Sequence, residues 1–153
     1  VTGGYKSKFK KELKEYGVTY EMLSADMANA KEYSDQSIGQ KYTLFFGSST
    51  LLIIHEQLVW VYMRVTTTRN RGMIPYTTKT YEIICVDRNN RTKQMVANSE
   101  AEAQEMIDEI AKRVPYIYTG FSDELASMQR NHFSDMVANV DEEKRRMGEN
   151  SGF

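Results

Sequence analysis

Cysteine is almost missing from this chain: Cys85 stands alone, so no internal disulfide can form, and with two histidines no Cys/His zinc cluster can be assembled. A reducing, cytoplasmic setting is expected, with no metal and no other cofactor. Proline is confined to Pro75 and Pro115, and the nine glycines are spread along the chain. That spacing excludes the glycine-rich loops that cradle phosphate in nucleotide-binding folds. No Ser/His/Asp or Cys/His arrangement and no EF-hand loop is present either. The longest uncharged run, residues 42–54, is interrupted by Gly47, Ser48, Ser49 and Thr50. It falls well short of the ~18–20 apolar residues that span a bilayer. A dominant charge is lacking too: 20 Lys and Arg face 21 Asp and Glu, for a net charge of -1. Phosphate backbones need a basic footprint, so nucleic acid is not expected as a partner.

What is present is the composition of a folded protein. Hydrophobic residues make up 41% of the 153, aromatics 11% and charged residues 27%, values outside the range of disordered chains. A single domain over 1–153 is expected, since no repeat, low-complexity tract or linker divides the chain. It opens Val1-Thr2-Gly3-Gly4, without Met or an apolar leader, and reads as a fragment. A transmembrane segment outside it would place the domain on the cytoplasmic face of a membrane.

Periodicity predicts helices, then strands, then helices. Tyr5, Phe9, Leu13 and Tyr16 form one helical stripe, with Gly17 at the capping position. Thr19 caps a second helix carrying Tyr20, Leu23, Met27 and Ala30, which completes a helical hairpin over 5–34. Five lysines, Lys6, Lys8, Lys10, Lys11 and Lys14, leave the first stripe free, and that helix is expected to pack on the domain rather than lie on a membrane. From residue 41 the period changes to two. Tyr42, Leu44 and Phe46 alternate with Thr43 and Phe45, and residues 58–68 are the strongest strand signal, rich in β-branched and aromatic types. Residues 69–72 read as a turn, and 81–86 with 92–97 as a hairpin around the asparagines of 87–91. Asn90-Arg91-Thr92 matches a glycosylation pattern but is read as turn chemistry.

Ser99 and Glu102 form a capping box before a helix whose Ala103, Met106, Ile107, Ile110, Ala111 and Val114 share one face, ended by Pro115. Ser122 opens a last helix over 122–146, with Leu125, Met128, His132, Phe133, Met136, Val137 and Val140 on its apolar side. The fold class is therefore α+β: a mainly antiparallel sheet over 40–114 closed by an amphipathic helix, preceded by the helical hairpin and followed by the long C-terminal helix. Trp60, Leu44, Phe46, Ile84, Met106, Ile107 and Ile110 are expected to share one core.

Candidate chemistry is sparse. His55 reads as a surface turn histidine, His132 as a packing residue, and Cys85 as a buried, inert thiol. Charge is more informative. Residues 64–93 hold seven Lys and Arg against two acids, a formal +5, and residues 94–128 hold two against seven, a formal -5. Arg64, Arg69, Arg71 and Lys79 are the candidate patch for an anion or partner, and such a dipolar surface steers an anionic partner or lipid headgroup. A protein partner or an anionic membrane surface follows from this layout, with the oligomeric state open. The rival is a small-ligand binder or enzyme whose site gathers His55, Tyr62 and Arg64.

The run Leu58-Val59-Trp60-Val61-Tyr62 leading into a basic turn, followed by strands and a closing helix, resembles the bacterial pleckstrin-homology-like domains. Ile74-Pro75, the strand at 81–86, the Asn-Asn hairpin and the acidic helix ending at Pro115 are also similar to a group of uncharacterised Firmicutes proteins. The similarity covers about residues 40–115, and the four or five strands read here depart from the seven of the full pattern. The resemblance implies a binding scaffold and transfers no catalytic residue.

Overall fold

Thr19, placed before an apolar run, is extended, and its hydroxyl accepts a hydrogen bond from the Met22 N–H, so the chain can enter a helix without an orphaned donor. The computed structural model describes residues 6–47 and 50–150, and the side chains of 11–47 and 50–148. It divides the chain into two units, residues 1–56 and 57–153, and each has its own sheet.

In the first unit α1 (Lys6–Tyr16) ends at Gly17, whose positive φ of 67° matches the cap expected there. The hairpin partner, α2 (Tyr20–Met27), is shorter than the sequence suggests. Residues expected to continue it form β1 (Lys31–Glu32), and β2 (Gln36–Ile38) lies in the expected break; both join β3 (Tyr42–Phe46) and β4 (Thr50–Ile54) in an antiparallel meander. Leu13 and Leu23 from the helices meet Tyr42, Leu44, Leu52 and Ile54 from the sheet in one buried cluster. Burial of Leu13 accords with a first helix that packs; Tyr5, Phe9, Lys6, Lys8 and Lys10 lie outside the described side chains.

Asp26, in the last turn of α2, ties helix to sheet. Its Oδ1 accepts from the Gln40 N–H at 3.1 Å, and its Oδ2 accepts from Lys41 and Tyr42 at 3.0 and 2.9 Å. This approach is possible because residue 39 is glycine: a Cβ there would lie 2.1 Å from Asp26 Oδ2.

The second unit is built on β5 (Leu58–Asn70), β6 (Tyr76–Asp87), β7 (Thr92–Ala97) and β8 (Tyr118–Thr119), in the order β7-β6-β5-β8. β8 runs parallel to β5 and the other pairs are antiparallel. The β6–β7 turn has Asn90 at φ 60°, as its sequence predicts, and Asp87 Oδ1 accepts from the Asn89 and Arg91 N–H groups. Next comes α3 (Glu100–Arg113), capped by Ser99, whose Oγ accepts from the Glu102 N–H; Glu102 Oε1 in turn accepts from the N–H of Asn98. Met95 and Ala97 are buried while Val96 between them is exposed, and α3 lies against β5, β6 and β7. Ala103, Met106, Ile107 and Ile110 on α3 are buried, so this sheet face and this helix stripe cover each other.

Two sheets stand where one was expected, because a single 3₁₀ turn at His55–Gln57 separates β4 from β5 and the two strands never pair. The anticipated common core is divided accordingly. Leu44 belongs to the first unit's cluster, whereas Trp60, Ile84, Met106, Ile107 and Ile110 are buried in the second. Phe46 is 47% exposed: it shares the face of the buried Tyr42 and Leu44 but stands at the end of β3. The last helix is also two: α4 (Asp123–Asn131) and α5 (Phe133–Asn150) break at His132, which caps α4 with φ -142° and is exposed rather than packed.

Two stability tests follow. Trp60→Ala should cost about 3–5 kcal/mol as a cavity in the second core, read from urea denaturation. Asp26→Ala should cost about 2–3 kcal/mol, since three backbone donors lose a charged acceptor. Gly39→Ala should then cost less in the Asp26→Ala background than alone, and additive effects in that double-mutant cycle would refute the clamp.

Candidate interaction surface

The β5–β6 hairpin outgrows its sheet. β7 stops pairing at Ala97 opposite Tyr81, and β8 touches β5 only at Trp60 and Val61. Pairing between β5 and β6 nevertheless continues through Thr66↔Thr80, Thr67↔Lys79, Thr68↔Thr78 and Arg69↔Thr77 to Asn70↔Tyr76. Residues 64–79 are exposed throughout. The five steps from Val65 to Asn70 span about 17 Å at ~3.4 Å per residue. Local chemistry explains both the strand and its isolation. Threonine is β-branched and favours extended backbone, yet its hydroxyl on either face gives no helix an apolar surface to cover.

Cross-strand partners share a face, so Arg69 and Lys79 stand on the same side of this arm as Val65, Thr67 and Thr77. Thr68, Asn70, Tyr76 and Thr78 occupy the other side and, with Arg69 and Arg71, line an open groove near the tip. Asn70 Oδ1 accepts from the Gly72 N–H at 3.0 Å and shapes the turn. Beyond it Met73 is fully exposed, Ile74 is 81% exposed, and Tyr76 is exposed behind them. Among the described residues no acidic side chain lies within ion-pair distance of Arg69, Arg71 or Lys79.

Of the four basic residues singled out by sequence, the structure gathers Arg69, Arg71 and Lys79 on the arm and leaves Arg64 at its root. Arg64 donates to the buried carboxylate of Glu82 at 3.3 Å and to Gln94 at 2.7 Å, while Thr66 Oγ1 donates to the same Glu82 at 3.0 Å. The other turn of the sheet is committed as well: Arg88 makes a two-pronged pair with Asp141 of α5 at 2.7 and 2.6 Å. That contact holds the Asp141 carboxyl below its ordinary value. The apolar tip went unnoticed in the sequence, although Gly72-Met73-Ile74-Pro75-Tyr76 after two arginines carried its signal.

The rival constellation is spread over both units. His55 is in the first unit and Tyr62 and Arg64 in the second. His55 is buried, not a surface turn residue. Its Nδ1 lies 3.0 Å from the Gln40 carbonyl, to which it must donate, and its Nε2 lies 2.6 Å from Thr43 Oγ1. The Tyr62 ring packs on Trp60 and Phe121, with centroids 4.2 and 5.5 Å away. Among the described residues no three His, Cys, Asp or Glu side chains are placed to hold a metal ion, and no helix is long and apolar enough to cross a membrane.

Residues 3–129 match a family described as a domain of unknown function, DUF6709. The chain belongs to that family. The DUF6709 match takes in both units and the arm and ends within α4, before α5 begins. No curated protein and no solved structure matches the chain.

Cys85 stands on β6, buried, and burial pushes its thiol up to about 12, with Lys93 pulling weakly the other way. At neutral pH it is protonated and shielded, so a thiol reagent should label it slowly in the native protein and rapidly after denaturation. Fast stoichiometric labelling of the native protein would return Cys85 to the list of functional candidates.

Proposed function

We propose that this chain is a non-enzymatic docking domain of pleckstrin-homology-like type that presents the β5–β6 arm to an anionic membrane surface. The observation that carries the reading is the coincidence, at one tip, of two exposed apolar side chains with three cations that have no acidic neighbour. The strand order supports the fold part: β1 to β7 form two antiparallel groups, and α3 follows directly.

Charge separation favours lipid. Residues 66–80 carry three basic side chains and no acid, while the rest of 57–153 carries ten basic against fourteen acidic residues, a formal -4. A body of that sign is repelled by an anionic bilayer, and the arm holds the tip about 17 Å beyond the last full sheet row, roughly two Debye lengths at ~8 Å each. Attraction at the tip is thereby decoupled from repulsion at the body. Three basic groups contribute ~1 kcal/mol each near such a surface, and burying Met73 and Ile74 adds about 1.5–3 kcal/mol apiece before ordering costs. The result is weak, reversible, salt-sensitive docking.

Sedimentation with neutral and anionic vesicles across a salt series tests this. The parent should bind anionic vesicles at low salt and release as salt rises. Arg69→Ala/Arg71→Ala/Lys79→Ala should abolish the anionic preference, and Met73→Ser/Ile74→Ser should weaken binding at least about tenfold while keeping the salt dependence. All five sites are exposed, so thermal stability should barely move. No anionic preference at low salt, or variants indistinguishable from the parent, would sink the membrane reading.

A further inference from the structure

The arm also has an open edge. Gly120 N–H donates to the Val61 carbonyl at 2.9 Å, which fixes the direction of the β5 backbone: the N–H and C=O of Val61 point away from β6, toward β8. Both groups of one strand residue point to the same side, and the side alternates along the strand. Met63, Val65, Thr67 and Arg69 therefore present their backbone groups along the uncovered edge, while Arg64, Thr66, Thr68 and Asn70 use theirs on β6. A two-stranded ribbon projecting into water is marginal on its own, and an unpaired edge is a template for another strand.

We infer that the occupant of this edge is β5 of a second copy, paired antiparallel about a twofold axis within Thr66–Thr68. The sequence is self-complementary there, in the part of the open edge that lies beyond β7 and β8. A twofold at Thr66, Thr67 or Thr68 sets a threonine opposite itself and never sets arginine opposite arginine; Arg69, for example, faces Met63, Val65 or Thr67 of the other copy. A twofold at Arg69 would bring two guanidinium groups together, which like-charge apposition disfavours. Pairing about Thr67 carries each arm tip to the level of the other copy's Gly120 and Phe121. Phe121 is 57% exposed and Asp123 and Glu124 follow it, so an apolar, cationic tip arrives beside an exposed aromatic and two acids. This interface is independent of the membrane reading, and it occupies the same tip.

Sedimentation velocity over a concentration series should show a monomer–dimer equilibrium. Thr67→Pro removes an N–H that faces the open edge and leaves the β5–β6 ladder intact, so it should yield a monomer with an unchanged far-UV spectrum. Should that variant fail to fold, single cysteines at Thr66, Thr67 and Thr68 supply a second test: at least one should form an intermolecular disulfide under mild oxidation, whereas cysteine at Thr77 should not. A chain that is monomeric at every concentration, or a dimer that persists in Thr67→Pro without any of the three cysteines cross-linking, overturns the inference. A monomer that still binds anionic vesicles overturns it while leaving the docking function standing.

Discussion

The hydrogen bond from the Trp60 indole N–H to the Gly120 carbonyl, 2.8 Å long, fixes the root from which the arm projects. Trp60 is wholly buried, and its ring forms a three-ring cluster with Tyr62 and Phe121, which also touch each other. Gly120 in turn donates to Val61, so the connector after α3 is laced to β5 from both directions. An indole without that acceptor would be a buried orphan donor, and a connector without the indole would leave β8 only two residues of parallel pairing. Fixing β5 at this point sets the direction of every residue after it. The exposed arm begins one row later than β7 stops, since Ala97 pairs with Tyr81 and Tyr81 with Val65.

Much of the second unit was legible because its signals are local. Ser99 and Glu102 announce a helix start, Asn90 announces a positive φ, and the alternation in residues 92–97 announces one buried face. Neighbouring residues decide such features, and neighbours are what a sequence displays. The first unit was less legible for the opposite reason. β1 and β2 are two and three residues long, and Gln36 and Ser37 are buried polar residues whose strand character comes from pairing with β3. Composition carries no trace of that pairing. His55 was misread because a histidine between a glutamate and an apolar run looks like a surface turn, whereas the Gln40 carbonyl and the Thr43 hydroxyl that receive it come from twelve and more residues away.

The candidate surface was half visible. Arg69 and Arg71 mark a basic turn in the sequence, and their grouping with Lys79 needed only the hairpin register. What sequence could not separate was Arg64 from the other three, since Glu82 lies eighteen positions away and meets Arg64 only through the β5–β6 pairing. The strand also ran further than its pattern. The pattern ends the strand at Thr68 and begins a turn at Arg69, but cross-strand hydrogen bonding carries β5 on to Asn70, and three consecutive threonines supply the backbone preference that keeps the ribbon extended.

On the two proposals made for it, an arm with an exposed apolar tip and an open edge would have two uses that exclude each other. A bilayer would take Met73 and Ile74 and leave the edge of β5 free; a second copy would take the edge and draw the tip against its own Phe121. Linkage then makes the two partners antagonists, because a ligand shifts an equilibrium by the difference in its affinity for the two states. On the two proposals taken together, self-association would hide the tip as protein concentration rises in solution, and an anionic surface would draw monomers out of the pair by mass action. Masking of this kind would also answer a hazard of the arm: an exposed Met-Ile pair at the end of a ribbon with an unpaired edge invites aggregation, and a self-complementary partner of finite stoichiometry would close the edge before a third strand could add.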